Sequence, residues 1–205
     1  LKAFLEIEKH FNIRATYNVV GKIFVEQPEL IETILEHGHE VAYHSYDHPT
    51  NWNPDHYVEQ ILRCVGLSHK VRGYRSPRSQ WNNNTIRTLW DNGFDWSAEG
   101  DPHKVSPYYI HESLVRLPIA GDDYQLYTGQ IGQEEWVNRF KEFMRTRLYF
   151  AFGAHDCYAA LDLKKWITSW ERILKEVIKN GVKTATFSEA CDSFKNLITK
   201  EKFLK

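Results

Sequence analysis

The chain has 205 residues, a length that fits one domain spanning 1–205. A net charge of −1 and a pI near 6.9 indicate no nucleic-acid partner, because such a partner selects for an excess of basic side chains. No apolar run approaches the roughly 18 residues that a membrane-spanning helix needs, so no transmembrane segment is predicted.

Apolar periodicity predicts helices and strands that alternate along the whole chain. The predicted helices are 1–11, 28–37, 55–70, 84–92, 134–147 and 161–180, followed by a terminal helix. The predicted strands are 14–21, 40–46, 71–75, 94–98, 114–119, 148–154 and 183–187. This alternation predicts an α/β fold with a parallel sheet, either a barrel or a doubly wound sheet. The segment 100–133 is the least regular and is predicted to be a long excursion.

The first predicted helix begins at Leu1 rather than at a methionine, and no capping residue precedes it. We therefore expect the natural protein to continue upstream, where any signal peptide would lie. Cys64, Cys157 and Cys191 form no C-x-x-C pair, which indicates neither a disulfide framework nor a thiolate zinc site. The compartment is left open between a bacterial cytoplasm and a cell envelope, with sparse cysteine leaning towards the cytoplasm.

Polar clusters follow four of the predicted strands, at the point where each strand ends. In folds with parallel strands, active groups gather at the carboxyl ends of the strands. The four clusters therefore predict a common pocket. They are His44-Ser45-Tyr46-Asp47-His48, Arg75-Ser76-Pro77-Arg78, the run from Trp96 to Asp101, and His155-Asp156.

His44 and His48 are the candidate metal ligands of the first cluster. Residues four apart on a helical arc have Cβ atoms about 5–6 Å apart, so both imidazoles can reach one ion. Neutral imidazole suits zinc, and also cobalt, nickel or iron. A catalytic zinc needs a third protein ligand, for which Asp47 is a conceivable local candidate. The alternative is an ordinary polar strand end with two hydrogen-bonded histidines.

Four more charged residues at strand ends are candidates for catalysis or positioning. His155 closes an apolar strand and could act as a general acid near neutral pH, or could only cap that strand. Arg75 ends another strand, where a buried guanidinium would hold a carboxylate, and a surface arginine beside a turn is the alternative. Glu99 and Asp101 could orient His155, or could be solvated turn acids.

The aromatic content is high, with seven Trp and eleven Tyr. Flat aromatic side chains suit the C–H faces of sugar rings, so Trp81 and Trp96 are candidates to line a sugar groove. Packing in the core is the alternative for each tryptophan, and composition alone does not separate the two interpretations.

These motifs and their order resemble the polysaccharide deacetylases of the NodB-homology group, also called carbohydrate esterase family four. The most specific element is "GHEVAYHSYDH", which is similar to the family motif G-H-E-x-x-x-H-[ST]-x-x-H. "RATYNVVG" is similar to the second strand of the family, and "RGYRSPR" to its R-x-P motif. "GFDWSAEGD" and "FGAHD" occupy the places of its acidic-Trp and L-x-H motifs. The match covers nearly all 205 residues in order.

The resemblance implies a distorted (β/α)7-type barrel whose first strand lies outside this chain. It implies metal-dependent hydrolysis of an N-acetyl or N-formyl group from an amino sugar of a glycan or a surface-polysaccharide precursor. His44 and His48 would be ligands of a divalent metal, with zinc the first expectation, and Asp47 would be a variable position. His155 would be the general acid, and Arg75 would position the catalytic base.

The resemblance also places Arg78 beside the substrate. Its backbone N–H would help to hold the oxyanion, and its side chain would line the substrate pocket together with Trp81 and Trp96. The family motif T-F-D-D, which supplies the base and the third metal ligand, is not in this chain. Arg78 stands where many members have an aromatic residue, and Gly153 stands where the last motif has leucine. These departures indicate a divergent subgroup with an altered substrate pocket.

Three functions therefore stand as hypotheses. The first is a metal-dependent deacetylase of N-acylated sugars, which requires an Asp-Asp pair upstream of this chain. The second is a catalytically impaired relative that lacks the pair and binds a glycan through its aromatic rim. The third is the same fold acting on a C–N bond of a non-sugar substrate. A carbohydrate is the expected partner of the first two, and the sequence leaves the oligomeric state open.

Overall fold

The computed structural model describes residues 1–51, 53–67 and 71–203. The chain divides into two compact units. The first unit comprises Leu1–Arg14, Gly100–Ser106 and Pro118–Thr184, and the second unit comprises Ala15–Glu99, Pro107–Leu117 and Ala185–Lys205. Within the described ranges, no helix has both the length and the apolar character that crossing a bilayer requires.

Strands and helices alternate through most of the chain, as the sequence predicts, although three strands follow one another in its middle. The strands are β1 (Thr16–Val19), β2 (Glu40–Tyr43), β3 (Gly73–Tyr74), β4 (Trp96–Gly100), β5 (Tyr108–His111), β6 (Leu114–Gly121) and β7 (Ala151–Phe152). The helices are α1 (Lys2–His10), α2 (Ile23–Glu26), α3 (Pro28–Glu36), α4 (Pro54–Val65), α5 (Asn83–Asp91), α6 (Tyr124–Tyr127), α7 (Gln133–Thr146), α8 (Asp156–Ala159), α9 (Leu163–Lys179) and α10 (Phe187–Phe203). The last residues of the predicted helix 55–70 lie outside the described ranges.

The second unit contains a run of parallel strands. Strand β2 pairs with β1 and with β3, and β3 pairs with β4, in each case parallel. Strand β5 is antiparallel to the first half of β6. The carboxyl ends of β2, β3 and β4 lie at one edge, since parallel neighbours point the same way. The polar clusters 44–48 and 75–78, which follow β2 and β3, are therefore brought to one side of the second unit, whereas the predicted cluster that begins at Trp96 lies within β4 itself.

Helices α3, α4 and α5 of the second unit each begin at a residue suited to that position. Pro28 occupies the first turn of α3, where its missing N–H costs nothing. The Asn53 side chain accepts hydrogen bonds from the first turn of α4, and Asn82 and Thr85 form a reciprocal capping box at the start of α5. Apolar residues of these helices and of β2 and β3 form the core of this unit.

Trp96 explains the glycine in "RGY". A Cβ atom added to Gly73 would lie only 2.0 Å from the Trp96 ring. Only a glycine lets the indole pack directly against β3, and Trp96 is fully buried there. Its Nε1 donates a hydrogen bond to Ser188 Oγ at 3.0 Å.

The first unit is built around β7 and the end of β6, which are parallel to each other. Helices α1, α7 and α9 supply its core, in which Trp136, Trp166 and Phe140 are buried. The predicted strand 148–154 shrinks to β7, and Leu148 is fully exposed. The segment 100–133 is less irregular than predicted, because it contains β5, β6 and α6.

The predicted strand 183–187 is wrong, because a helix start takes its place. Thr186 N–H donates to the Glu189 carboxylate, and Glu189 N–H donates to Thr186 Oγ1, which is a capping box. The next two N–H groups, of Phe187 and Ser188, donate to the side chains of Thr16 and Glu40. With these donors engaged by side chains, no strand ladder forms and α10 begins at Phe187.

Candidate active site

The loop after β2 brings His44 and His48 together. Their ring centroids are 4.9 Å apart, with 67° between the ring planes. Ser45 and His48 have φ angles of 60° and 54°, in the left-handed region that residues other than glycine rarely adopt. Such strained conformations persist where surrounding contacts hold them, and they concentrate at functional sites. The loop therefore sets the two imidazoles side by side at a cost in backbone strain.

Hydrogen bonds from the loop backbone hold this conformation. His48 N–H donates to Ser45 Oγ at 2.9 Å, which closes the turn. The Oε1 atom of Gln60, on α4, accepts from Tyr46 N–H at 3.0 Å and from Asp47 N–H at 2.9 Å. Both Ser45 and Gln60 are fully buried. The buried side chains of Ser45 and Gln60 thus hold the loop through hydrogen bonds to its backbone.

The Nδ1 atom of His44 faces a backbone carbonyl. His44 Nδ1 lies 3.0 Å from the carbonyl oxygen of Arg75. A carbonyl oxygen can only accept, so Nδ1 carries the proton and the lone pair of the neutral ring is on Nε2. This arrangement is typical of metal-ligating histidines, whose other nitrogen is fixed by a hydrogen bond.

A buried carboxylate holds the same peptide group from its other side. Ser76 N–H, which shares a peptide bond with the Arg75 carbonyl, donates to Glu99 Oε1 at 2.7 Å. Glu99 is fully buried, and Arg116 NH1 lies 3.7 Å from its Oε1. Burial raises the pKa of Glu99, against the opposing effects of Arg116 and of the Ser76 hydrogen bond. Glu99, the peptide and His44 therefore form one hydrogen-bonded series.

The donor set fits part of a metal site. Two imidazoles stand side by side, and His44 has a fixed tautomer. Asp47 is bonded instead to Arg63, with NH1 to Oδ2 at 3.0 Å. In the part of the chain that the structure describes, no three His, Cys, Asp or Glu side chains form a metal-binding group. His44 and His48 thus fit as two ligands, and the described residues supply no third.

His155 lies in the first unit, directly before α8, and a buried aspartate holds its ring. His155 Nδ1 is 2.5 Å from Asp123 Oδ1, and Asp123 has no exposed side-chain surface. The other oxygen, Oδ2, accepts from His155 N–H at 2.9 Å and from Trp166 Nε1 at 2.6 Å. Asp123 thus fixes the orientation of the imidazole and faces the positive charge that the ring carries when it is protonated, which suits an acid–base group.

Residues 1–96 match the family model described as polysaccharide deacetylase. Over these residues the chain is similar to the polysaccharide deacetylases. A peptidoglycan-N-acetylglucosamine deacetylase, PgdA, from Listeria monocytogenes is 29% identical over 107 residues, which are 49% of this chain and 23% of the relative. The chain therefore spans about a quarter of that relative's length. The resemblance to the NodB-homology group is confirmed.

Solved structures show the same fold along the chain. A Mycobacterium smegmatis protein assigned to the polysaccharide deacetylases has a TM-score of 0.79 at 21% identity, over 96% of this chain and 77% of its own. A pseudoenzyme of carbohydrate esterase family four from Bacillus anthracis, BA3943, has a TM-score of 0.64 at 16% identity, over 93% and 59%. The predicted fold class, an α/β NodB-like fold with a parallel sheet, is confirmed.

Among the site residues predicted for this deacetylase relative, those of the second unit are brought together in part. His44 contacts His48 and the backbone of Arg75. Arg78 is exposed on a 3-10 turn with φ of 54°. Trp81 is partly buried beneath Arg116, whose guanidinium carbon lies 4.4 Å from the centroid of the Trp81 ring.

Two predicted roles are replaced by other contacts. Trp96 is fully buried against Gly73, so it offers no face to a sugar, and its predicted place in the substrate groove is wrong. Glu99 bonds to the peptide beside Arg75, and Asp101 accepts from the backbone N–H groups of His103 and Lys104. The carboxylate that meets His155 belongs to Asp123.

Sequence reasoning missed Asp123, Gln60 and Arg116. Asp123 could have been found, because "GDD" follows the apolar run of β6 just as the other polar clusters follow their strands. Gln60 and Arg116 carry no such signal, since a glutamine within a helix and an arginine within a strand are ordinary surface residues until their burial is known.

Proposed function

We propose that this chain carries a metal-dependent hydrolase site that removes an N-acetyl or N-formyl group from an amino sugar. The observation that carries the proposal is the pair of adjacent imidazoles, His44 and His48, with the tautomer of His44 fixed by a backbone carbonyl. An ordinary polar strand end has no need for two strained residues and a buried glutamine to hold two imidazoles together.

The reaction needs a nucleophile, an oxyanion site and a proton for the leaving nitrogen. Water adds to the carbonyl carbon of the amide, the C–N bond breaks, and the products are a carboxylate and a free amine. We assign to His155 the proton that reaches the departing nitrogen, because Asp123 orients its ring and balances its charge. Arg75 positions the catalytic base, and the backbone N–H near Arg78 contributes to the oxyanion site.

His44 and His48 would hold the metal, and zinc is the ion we expect, with cobalt, nickel and iron as alternatives. A divalent cation bound there supplies Lewis-acid activation of water and of the amide carbonyl. The role of the residues in this chain is to fix the ligand geometry through Gln60, Ser45 and the Arg75 carbonyl.

The proposed substrate is a glycan of the cell wall or a surface-polysaccharide precursor. The Listeria relative acts, by its name, on N-acetylglucosamine of peptidoglycan. A substrate of that kind would place the protein in the envelope or in the cytoplasm of a bacterium, and the compartment stays a prediction. The exposed side chains of Tyr124 and Tyr127, which contact Tyr158 beside the proposed acid, are consistent with a carbohydrate partner.

The direct test is acetate release from N-acetylchitotetraose by the full-length protein, before and after chelation and with zinc or cobalt restored. We expect chelation to abolish release and the metal to restore it. His44→Ala and His48→Ala should lose both metal binding and turnover. His37→Ala is the matched control, because His37 Nδ1 also bonds a backbone carbonyl, that of Thr33 at 2.8 Å. Release that chelation leaves unchanged would refute the metal-dependent mechanism.

A second candidate function is glycan binding without turnover, since the fold of this chain also occurs in a protein named as a pseudoenzyme, from Bacillus anthracis. It predicts that N-acetylchitotetraose binds with the same affinity to the wild-type protein and to His155→Ala. It also predicts no acetate release at any metal concentration. Turnover that is lost in His155→Ala would exclude it.

A further inference from the structure

Three tyrosines of the first unit lie beside His155. Tyr124 and Tyr127 are three apart on α6, so they share one face of that helix turn. Tyr158 lies on α8, and its ring centroid is 4.6 Å from that of His155. We call Tyr124, Tyr127 and Tyr158 the tyrosine cluster.

Two rings of the tyrosine cluster, those of Tyr127 and Tyr158, are stacked on each other. Tyr127 and Tyr158 have ring centroids 4.1 Å apart and planes only 6° apart. Tyr124 is tilted against both, at 6.4 Å and 6.5 Å. Tyr158 covers one face of the Tyr127 ring, and Tyr127 is 43% exposed. Tyr124 is 51% exposed.

The topology of the first unit explains why these rings meet. Strands β6 and β7 are parallel neighbours, with Ile119 opposite Ala151 and Gly121 opposite Phe152. Asp123 and α6 follow the end of β6, and His155 and α8 follow the end of β7. One edge of this strand pair therefore carries both the Asp123–His155 pair and the tyrosine cluster.

Exposed aromatic rings that are already ordered are typical of recognition surfaces. A Tyr–Tyr stack loses little conformational freedom on binding, since each ring is already held. Tyrosine hydroxyls are protonated at neutral pH and can donate a hydrogen bond. Burial raises the pKa of Tyr158 further, to about 12. The cluster thus offers both flat apolar faces and hydroxyl groups, which match the C–H faces and hydroxyls of a pyranose ring.

We propose that the tyrosine cluster is a glycan subsite, at which one pyranose ring of an uncharged oligosaccharide stacks on Tyr127. The occupant is a sugar, because the cluster is continuous with His155 through Tyr158, and His155 is the group assigned to the amide of an amino sugar. This inference rests on the proposed function and extends it. The substrate would be an oligosaccharide that reaches beyond the reacting residue, rather than a single sugar.

The test measures binding of N-acetylchitotetraose to the full-length protein in the presence of chelator, so that turnover does not consume the probe. We expect Tyr127→Leu, which keeps apolar volume but removes the flat ring, to weaken binding about tenfold. Tyr127→Phe keeps the ring and should bind within about twofold of wild type. Tyr109→Leu is the matched control, because Tyr109 is 40% exposed, contacts Phe194 and belongs to the second unit.

Kinetics separate this inference from the proposed function. If the protein releases acetate, Tyr127→Leu should raise KM for the tetraose about tenfold and leave kcat/KM for N-acetylglucosamine within about twofold. If no acetate is released but Tyr127→Leu alone weakens tetraose binding, the subsite stands and the hydrolase proposal fails. Acetate release with equal tetraose affinity in all three variants would overturn the subsite and leave the hydrolase proposal standing. Absence of tetraose binding to the wild type would also overturn the subsite.

Discussion

The two histidine sites of this chain are held by different kinds of partner. In the second unit, His44 is fixed by a backbone carbonyl, which can only accept a hydrogen bond. In the first unit, His155 is fixed by the carboxylate of Asp123, which is buried and negatively charged when ionised. A neutral partner leaves a neutral ring with a basic nitrogen, suited to a metal. A charged partner accommodates a ring that takes up and releases a proton.

The groups that surround the two histidine rings also differ. The His44 site depends on backbone groups of a strained loop, and side chains such as Gln60 and Glu99 act through the peptide groups that they hold. The His155 site depends on the side chain of Asp123, which also accepts a hydrogen bond from Trp166 Nε1 in the core of the first unit. Changes beside His44 should therefore alter geometry and stability together, whereas a change at Asp123 should alter the chemistry first.

The largest expected effect comes from Asp123→Asn. The amide keeps an oxygen for Trp166 but presents an NH2 group to His155 Nδ1, which imposes the wrong tautomer. We expect acetate release to fall by about 10³–10⁴-fold, as for other histidines that lose their carboxylate, with metal affinity unchanged. Asp122→Asn is the matched control, because Asp122 Oδ1 accepts from Tyr124 N–H on the neighbouring helix turn. Equal losses in the two variants would contradict the assignment of Asp123.

A smaller effect is expected from Glu99→Gln, which acts on the His44 site of the second unit. This change leaves the buried Arg116 without its counter-charge, so we expect a loss of about 3 kcal/mol in the free energy of unfolding, measured by urea titration. Zinc affinity at His44 should also fall, by about tenfold, because the Arg75–Ser76 peptide is less well fixed.

Glu135→Gln is the control for Glu99→Gln, since Glu135 pairs with Arg139 on an exposed helix face. It should leave the free energy of unfolding nearly unchanged, as exposed pairs contribute little. If folded Glu99→Gln protein binds zinc as tightly as the wild type, the Arg75–Ser76 peptide does not link Glu99 to the geometry of His44.

The smallest effect is expected from Gln60→Leu, which removes the acceptor of two loop N–H groups. We expect a loss of about 1–3 kcal/mol in the free energy of unfolding and a weaker zinc site. Gln133→Leu is the matched control, because Gln133 Nε2 also makes two hydrogen bonds, to Lys165 O and Ser169 Oγ of the first unit. It should cost similar stability and leave zinc affinity at the wild-type value. Equal zinc affinities in both variants would refute the loop-fastening role of Gln60.

The alternation of helices and strands was predictable because it depends on local apolar periodicity. The helix starts at Pro28, Asn53 and Asn82 follow from residues next to one another in the chain. The strand predicted at 183–187 is wrong because that prediction also used only the local pattern of residues. Its pattern is local, but the side chains of Thr16 and Glu40, far away in sequence, accept from the N–H groups of Phe187 and Ser188 at its end.

The candidate site was predictable only where a motif is contiguous. His44 and His48 lie within one short loop, so their spacing allowed a shared metal ion, and the resemblance to the deacetylases favoured that ion over an ordinary polar strand end. The partner of His155 was assigned to Glu99 or Asp101, and Asp123 was overlooked within a segment regarded as irregular. The carboxylate that reaches His155 is the one that follows the strand beside β7. That strand is β6, and its pairing with β7 is not evident from the order of residues in the chain.

The sequence by itself determined the α/β fold class, the resemblance to the polysaccharide deacetylases and the two adjacent histidines, because each of these is carried by residues close together in the chain. Only the tertiary structure decided that Asp123 holds His155, that Trp96 belongs to the core and that Tyr158, which stacks on Tyr127, lies against the proposed acid. Burial and pairing between distant residues arise from strand register and packing, and no local pattern of side chains encodes them.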